Sequence, residues 1–291
     1  MNRRKFKLAL VILVAGCALV NFIAYQQAYH FTHYVQDENV RPFESLSVLE
    51  KIASGITGIK VPRPTNHRTP ENIGLAYEVR RIDLSKDEQL EGWYIPRSEA
   101  HGLVILFHGY AGSKDTLLAP ALIFHDLGYA TFLVDFRGSG GSTGSDTTLG
   151  FREGIDVVET IHYAKTNLMP RKPLILYGFS MGSAAILRAI ASEHIQPDAI
   201  ILEHPFDTLL NTIRNRATAL HMPAFPTAEL LVLWGSIQNG FNGFMLNPDE
   251  WASSVKCPVL ILRGGQDIRV TQEQAYSVFV HVPVPIKGIN S

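Results

Sequence analysis

The sequence predicts an α/β fold built on a mainly parallel sheet, and three observations carry that prediction. Short apolar runs of strand length alternate with segments of helical periodicity from residue 77 onward. The run LVILF (103–107) is continuously apolar, as a strand buried on both faces requires. The composition, 291 residues with 46% hydrophobic and 18% charged, supplies one large core and excludes disorder, a coiled coil and a collagen-like fibre.

The elements follow in chain order. Residues 2–7 (NRRKFK) hold four basic side chains and no acid, and residues 8–25 (LALVILVAGCALVNFIAY) are apolar except for Asn21. Eighteen helical residues span about 27 Å, close to the hydrocarbon thickness of a bilayer. Residues 1–25 are therefore read as a basic flank and a transmembrane signal anchor. The basic flank puts the N-terminus in the cytoplasm and the rest of the chain on the outer or periplasmic side. A cleaved signal peptide is one alternative. The other is a lipoprotein acylated at Cys17, because Val14-Ala15-Gly16-Cys17 has the form of a lipobox. Residues 26–74 read as a polar approach segment ending in the proline-rich stretch VPRPTNHRTP (61–70).

YEVRRIDL (77–84) and QLEGWYI (89–95) read as antiparallel strands joined by SKDE. LVILF (103–107), YATFLVD (129–135), PLILYGF (173–179), AIILE (199–203) and PVLIL (258–262) are the next strands. Helices are expected over 114–127, 151–168, 183–194 and 271–280; in the second, apolar residues fall at 151, 155, 158, 161 and 164. Repeated strand–helix–strand units place helices on both faces of a parallel sheet. Residues 204–257, rich in Leu, Phe, Met and Trp, are too long for a loop and read as a small helical cap.

Chemistry sits at the strand ends. Gly178-Phe179-Ser180-Met181-Gly182 follows a strand directly and opens a helix directly. In that context the pentapeptide marks a nucleophile on a sharp turn, with glycines where side chains would collide. The alternative, an ordinary serine N-cap, does not call for that context. His108-Gly109-Tyr110-Ala111-Gly112 follows the strand 103–107. The N–H groups of Tyr110 and Met181 are candidate donors to an oxyanion. Gly109 lets the backbone approach, and His108 reads as a residue that holds the loop.

With these motifs on hand, residues 75–291 resemble the α/β-hydrolase family. The resemblance rests on the HGYAG turn, the DFRGSGGS loop (135–142), the GFSMG elbow and CPVLILRGGQD (257–267). It implies a Ser-Asp-His triad in that chain order, with Ser180 as nucleophile and Asp267 as acid. Asp207 is the weaker alternative acid. The family's base lies on a loop after one further strand, yet only 24 residues follow Asp267. His281 is the one histidine among them, at the end of an expected helix, and is a weak candidate for the base. His204 and His221, in or near the cap, are others. The last strand and the histidine loop are accordingly expected to be missing.

The resemblance implies a membrane-anchored serine hydrolase acting on an ester, thioester or amide through an acyl-enzyme. The alternative is a truncated or inactive α/β-hydrolase-like binding protein. Phe206, Phe225, Trp234, Phe241 and Phe244 in the cap suit a hydrophobic acyl substrate, and a packed cap would look the same. A net charge of -1 gives no reason to expect a nucleic-acid partner. Cys17 and Cys257 are too few for a disulfide framework or a cysteine-based zinc site. No P-loop, dinucleotide fingerprint or metal-ligand cluster is evident, so neither cofactor nor metal is expected.

Overall fold

The computed structural model describes residues 3–36, 40–41, 45–169, 171–264, 270–284 and 287–290. Asp267 lies outside the described residues. The strands are β1 (Glu78–Asp83), β2 (Gln89–Ile95), β3 (Leu103–Phe107), β4 (Ala130–Val134), β5 (Leu174–Phe179), β6 (Ala199–Glu203), β7 (Val259–Leu262) and β8 (Lys287–Asn290). They form one sheet in the order β1-β2-β4-β3-β5-β6-β7-β8. β2 runs antiparallel to both β1 and β4, and every other pairing is parallel.

The period of two decides which side chain faces which layer. Leu103, Ile105 and Phe107 of β3 join one core, with Val157 and Ile161 of α4 (Glu153–Asn167). The same core takes Ile186 and Ile190 of α5 (Met181–Glu193) and Val278 of α9 (Gln272–His281). Val104 and Leu106 point the other way, onto Leu118 and Ala121 of α3 (Leu118–Asp126). Helices therefore cover both faces. The insertion between β6 and β7 forms α6 (Leu209–Ala219), α7 (Ala224–Asn239) and α8 (Pro248–Ala252). Phe206, Leu209, Ile213, Ala228 and Val232 make its own small core.

Two expectations are corrected. The last strand is not missing: β8 pairs in parallel with β7, Leu260 opposite Gly288 and Ile261 opposite Ile289. The segment after residue 25 does not begin as a polar approach, because α1 continues from Arg3 to Thr32. Residues 3–20 are exposed, and they are long and apolar enough to belong to a membrane span. Beyond them the helix docks on the cap. Ala24, Ala28 and Thr32, spaced by four, are buried. Small side chains there let α1 and α7 approach. Asn21, the polar interruption in the apolar run, accepts a hydrogen bond from Trp234 Nε1 at 3.3 Å. Gln238 Nε2 donates to the Tyr25 carbonyl at 2.9 Å. α2 (Val48–Thr57) is closed by a capping box between Ser47 and Glu50.

Candidate active site

Strand order fixes where a site can form. β4 lies on one side of β3 and β5 on the other, so the connections after β3 and β5 leave in opposite directions. The crevice at the carboxyl ends of these strands is the switch point of the sheet. Phe107 pairs with Gly178, and Phe179 with Glu203, so the loops after β3, β5 and β6 emerge side by side.

Ser180 sits in that crevice between β5 and α5, with φ 51° and ψ -106°. This conformation is costly for a residue carrying a Cβ. The surroundings impose it. Ser180 N–H donates to the Glu203 carbonyl at 2.7 Å, and Ser183 Oγ donates to the Gly178 carbonyl at 2.6 Å. The flanking glycines are required by contact. A Cβ at Gly178 would lie 2.6 Å from the Gly182 carbonyl carbon and the Ser183 nitrogen. One at Gly182 would lie 2.4 Å from the Phe107 carbonyl oxygen. Met181 is the first residue of α5, so its N–H points out of the helix start rather than into a helical bond. Among the described residues, neither the Met181 N–H nor the Tyr110 N–H enters a hydrogen bond.

His108 is fully buried beneath the turn after β3. Its Nδ1 lies 2.8 Å from the Gly109 carbonyl, and its Nε2 accepts the Phe136 N–H at 3.1 Å. These partners require the proton on Nδ1 and a lone pair on Nε2. Burial pushes its pKa below the ordinary histidine value of 6.5. Unfolded, the ring binds a proton below 6.5; folded, it resists. Stability from this group is therefore complete above pH 6.5 and is lost as pH falls below it. We expect a denaturation midpoint that drops from pH 7 to pH 5, and a shallower drop in His108→Gln. Parallel pH profiles for the two proteins would contradict this role.

Asp135, also fully buried, ties this turn to the DFRGSGGS loop. Its carboxylate pairs with the Lys114 ammonium and accepts the Lys114 N–H at 2.7 Å. It also accepts Asn66 Nδ2 at 2.9 Å and the Gly141 N–H at 2.8 Å. Burial alone would raise the Asp135 pKa, but the adjacent Lys114 charge outweighs it and holds the group below its ordinary value.

A cavity of about 90 Å³ opens at Ser180, lined also by Phe31, Tyr110, Met181, His204, Phe206 and Arg216 among others. The structure thus brings Ser180, Tyr110 and Met181 together. His204 lines the same cavity, and its Nε2 accepts the Gly264 N–H at 3.2 Å. His281 is not brought there: it is exposed at the end of α9, with Nδ1 2.8 Å from the Ser277 carbonyl. Nor does Asp207 line the cavity. Its carboxylate caps the start of α6 through the Thr208 N–H and Asn211 Nδ2 and accepts Gln274 Nε2 at 2.5 Å. His221 is exposed after α6.

Of the cap aromatics named from sequence, Phe206 alone lines the cavity. Phe241 stacks on Phe151 at 4.9 Å, Trp234 meets Tyr25 edge-on, and Phe225 is 74% exposed. Sequence reasoning missed Phe31, Tyr34, Lys114 and Arg216. No local spacing marks them, because each acts across a long loop closure.

A sheet in this order, a serine on the β5–α5 elbow and a helical cap after β6 define the α/β-hydrolase class. The comparisons all support an α/β-hydrolase family for this chain. A family model described as serine aminopeptidase, S33, matches residues 98–234, from just before β3 into α7. The chain is 27% identical to the zebrafish (Danio rerio) lysophosphatidylserine lipase ABHD12 over 209 residues, which are 67% of this chain and 52% of that protein. It is 28% identical to protein bem46 of Schizosaccharomyces pombe over 222 residues, 74% of this chain and 68% of that one. The chain thus spans only about half the length of the ABHD12 relatives it matches. Among solved structures, a Pyrococcus furiosus esterase superposes with a TM-score of 0.65 at 23% identity, covering 79% of this chain and 86% of the other.

Proposed function

We propose that this chain is a membrane-anchored serine hydrolase that cleaves an ester through an acyl-enzyme on Ser180. The observation that carries the reading is the position of Ser180, on a glycine-flanked elbow at the switch point and at the wall of a cavity. In this reading Ser180 Oγ attacks the substrate carbonyl and loses its proton to a base. The developing oxyanion accepts hydrogen bonds from the Tyr110 and Met181 N–H groups. Collapse of the tetrahedral adduct breaks the bond to the leaving group, and water then releases the acid and regenerates Ser180. Asp267 is the acid that the family resemblance supplies. His204 is the histidine at the cavity and the first to replace in a search for the base. Thioester and amide substrates use the same machinery; the lipase relatives favour a lipid-like ester.

Residues 8–25 anchor the chain, with the N-terminus cytoplasmic and the hydrolase domain on the opposite side. Acylation at Cys17 after cleavage is the competing anchorage. The intact mass of membrane-extracted protein separates the two.

The test of activity is fluorophosphonate labelling of the full-length chain in nanodiscs, read by intact mass. One adduct is expected, absent in Ser180→Ala. A folded chain that takes up no probe would remove the hydrolase reading and leave that of a ligand-binding protein.

A further inference from the structure

The end of the first helix reaches the reacting serine. Phe31, in the last turn of α1, lines the cavity at Ser180. Its ring stacks on Tyr110 with centroids 4.7 Å apart and planes 21° from parallel. Tyr110 Oη donates to the Phe31 carbonyl at 2.8 Å. Just past the helix, buried Tyr34 accepts the Ala111 N–H on its hydroxyl at 3.2 Å. The Arg216 guanidinium lies 5.4 Å from both the Phe31 and Tyr110 ring centres. Thr32 is held from two further directions: its carbonyl accepts the Thr147 N–H at 2.8 Å, and its Oγ1 accepts Asn239 Nδ2 at 3.2 Å.

We propose that the last turn of the anchor helix is a structural part of the substrate site, and that Phe31 is the wall that sets how long an acyl chain the cavity admits. This rests on the hydrolase reading for its function but not for its geometry. The cavity measures about 90 Å³, so removing a side chain as large as Phe31 from its wall changes its reach. The stacked Tyr110 ring and the nearby Arg216 guanidinium hold the Phe31 ring at this wall. Truncating it enlarges the cavity at that wall, while the helix remains pinned through Thr32 and Tyr34.

The test measures equilibrium binding of fluorescent, non-hydrolysable alkyl ethers of short and long chain to the full-length protein in nanodiscs. Phe31→Ala is compared with Phe31→Leu, which keeps a packed side chain, and with Leu13→Ala on the exposed stretch of the same helix. Binding is expected to cross over. Phe31→Ala weakens the short ether and tightens the long one, raising the long-to-short affinity ratio about tenfold. Phe31→Leu moves the ratio part of the way, and Leu13→Ala leaves it unchanged. Loss of folding would weaken both ligands together and move the ratio in neither direction. An unchanged ratio in Phe31→Leu, with the protein still cooperative on melting, overturns the proposal. Ser180 labelling in the same samples separates the two readings. A crossover without labelling keeps the wall and removes the hydrolase; labelling without a crossover does the reverse.

Discussion

Replacing Ser180 with alanine is expected to lower ester turnover by about 10⁴-fold or more while leaving the melting temperature within the error of the unaltered chain. Both halves follow from the elbow. In the proposed mechanism the hydroxyl forms the acyl bond, so its removal would end covalent catalysis. What survives is ground-state binding and oxyanion stabilisation, which alone give a small residual rate. The fold is unaffected because alanine keeps the Cβ and the same backbone. The Ser180 N–H still reaches the Glu203 carbonyl, and Gly178 and Gly182 still make room for the helix start. A variant that loses activity and stability together would mean that the hydroxyl holds the turn in place. A variant that retains activity would mean that the nucleophile lies elsewhere.

The second large effect is structural. Lys114→Met is expected to lower stability by about 3–5 kcal/mol and the melting temperature by about 10 °C or more. The Lys114 ammonium has 0% exposed side-chain surface. It pairs with Asp135, lies 3.0 Å from Glu91 Oε1 and sits 4.4 Å from the Trp93 ring centre. Methionine fills a similar volume, so the cost is not a void. It is the stranding of a buried Asp135 charge whose remaining donors are the Lys114 and Gly141 N–H groups and Asn66. Because Asp135 joins the turn after β3 to the loop after β4, the site should loosen as well. Thermal melts and probe-labelling rates of the two proteins measure both effects. A melting temperature within about 2 °C of the unaltered chain would show that the pair contributes little.

The sheet interior was readable from sequence because a strand buried on both faces has no freedom in its pattern. LVILF leaves no other assignment, and the glycines of GFSMG answer to contacts that a side chain would violate. The same holds for the cap, whose length alone excludes a loop. What could not be read depends on partners distant in the chain. β8 carries the sequence KGIN, with no strand periodicity; it is extended because β7 offers it an edge. The end of α1 looked polar after residue 25. Its burial comes from four-residue spacing of small side chains against a helix some two hundred positions away. His281 drew notice by its place in the chain, but α9 turns it to solvent. Lys114 and Asp135 each look like ordinary surface residues until the two loops meet.

The backbone of Ser180, at φ 51° and ψ -106°, carries a consequence for anyone breeding this protein for heat resistance. That conformation is one glycine adopts freely and serine adopts at a cost of about 1–3 kcal/mol. A Ser180→Gly change relieves the cost and, on the proposed mechanism, deletes the nucleophile in one step. If Ser180 is the nucleophile, a library ranked on melting temperature alone will therefore enrich inert winners, and the enrichment will look like success. Only a screen that scores chemistry and heat resistance on the same clone keeps the serine where it is.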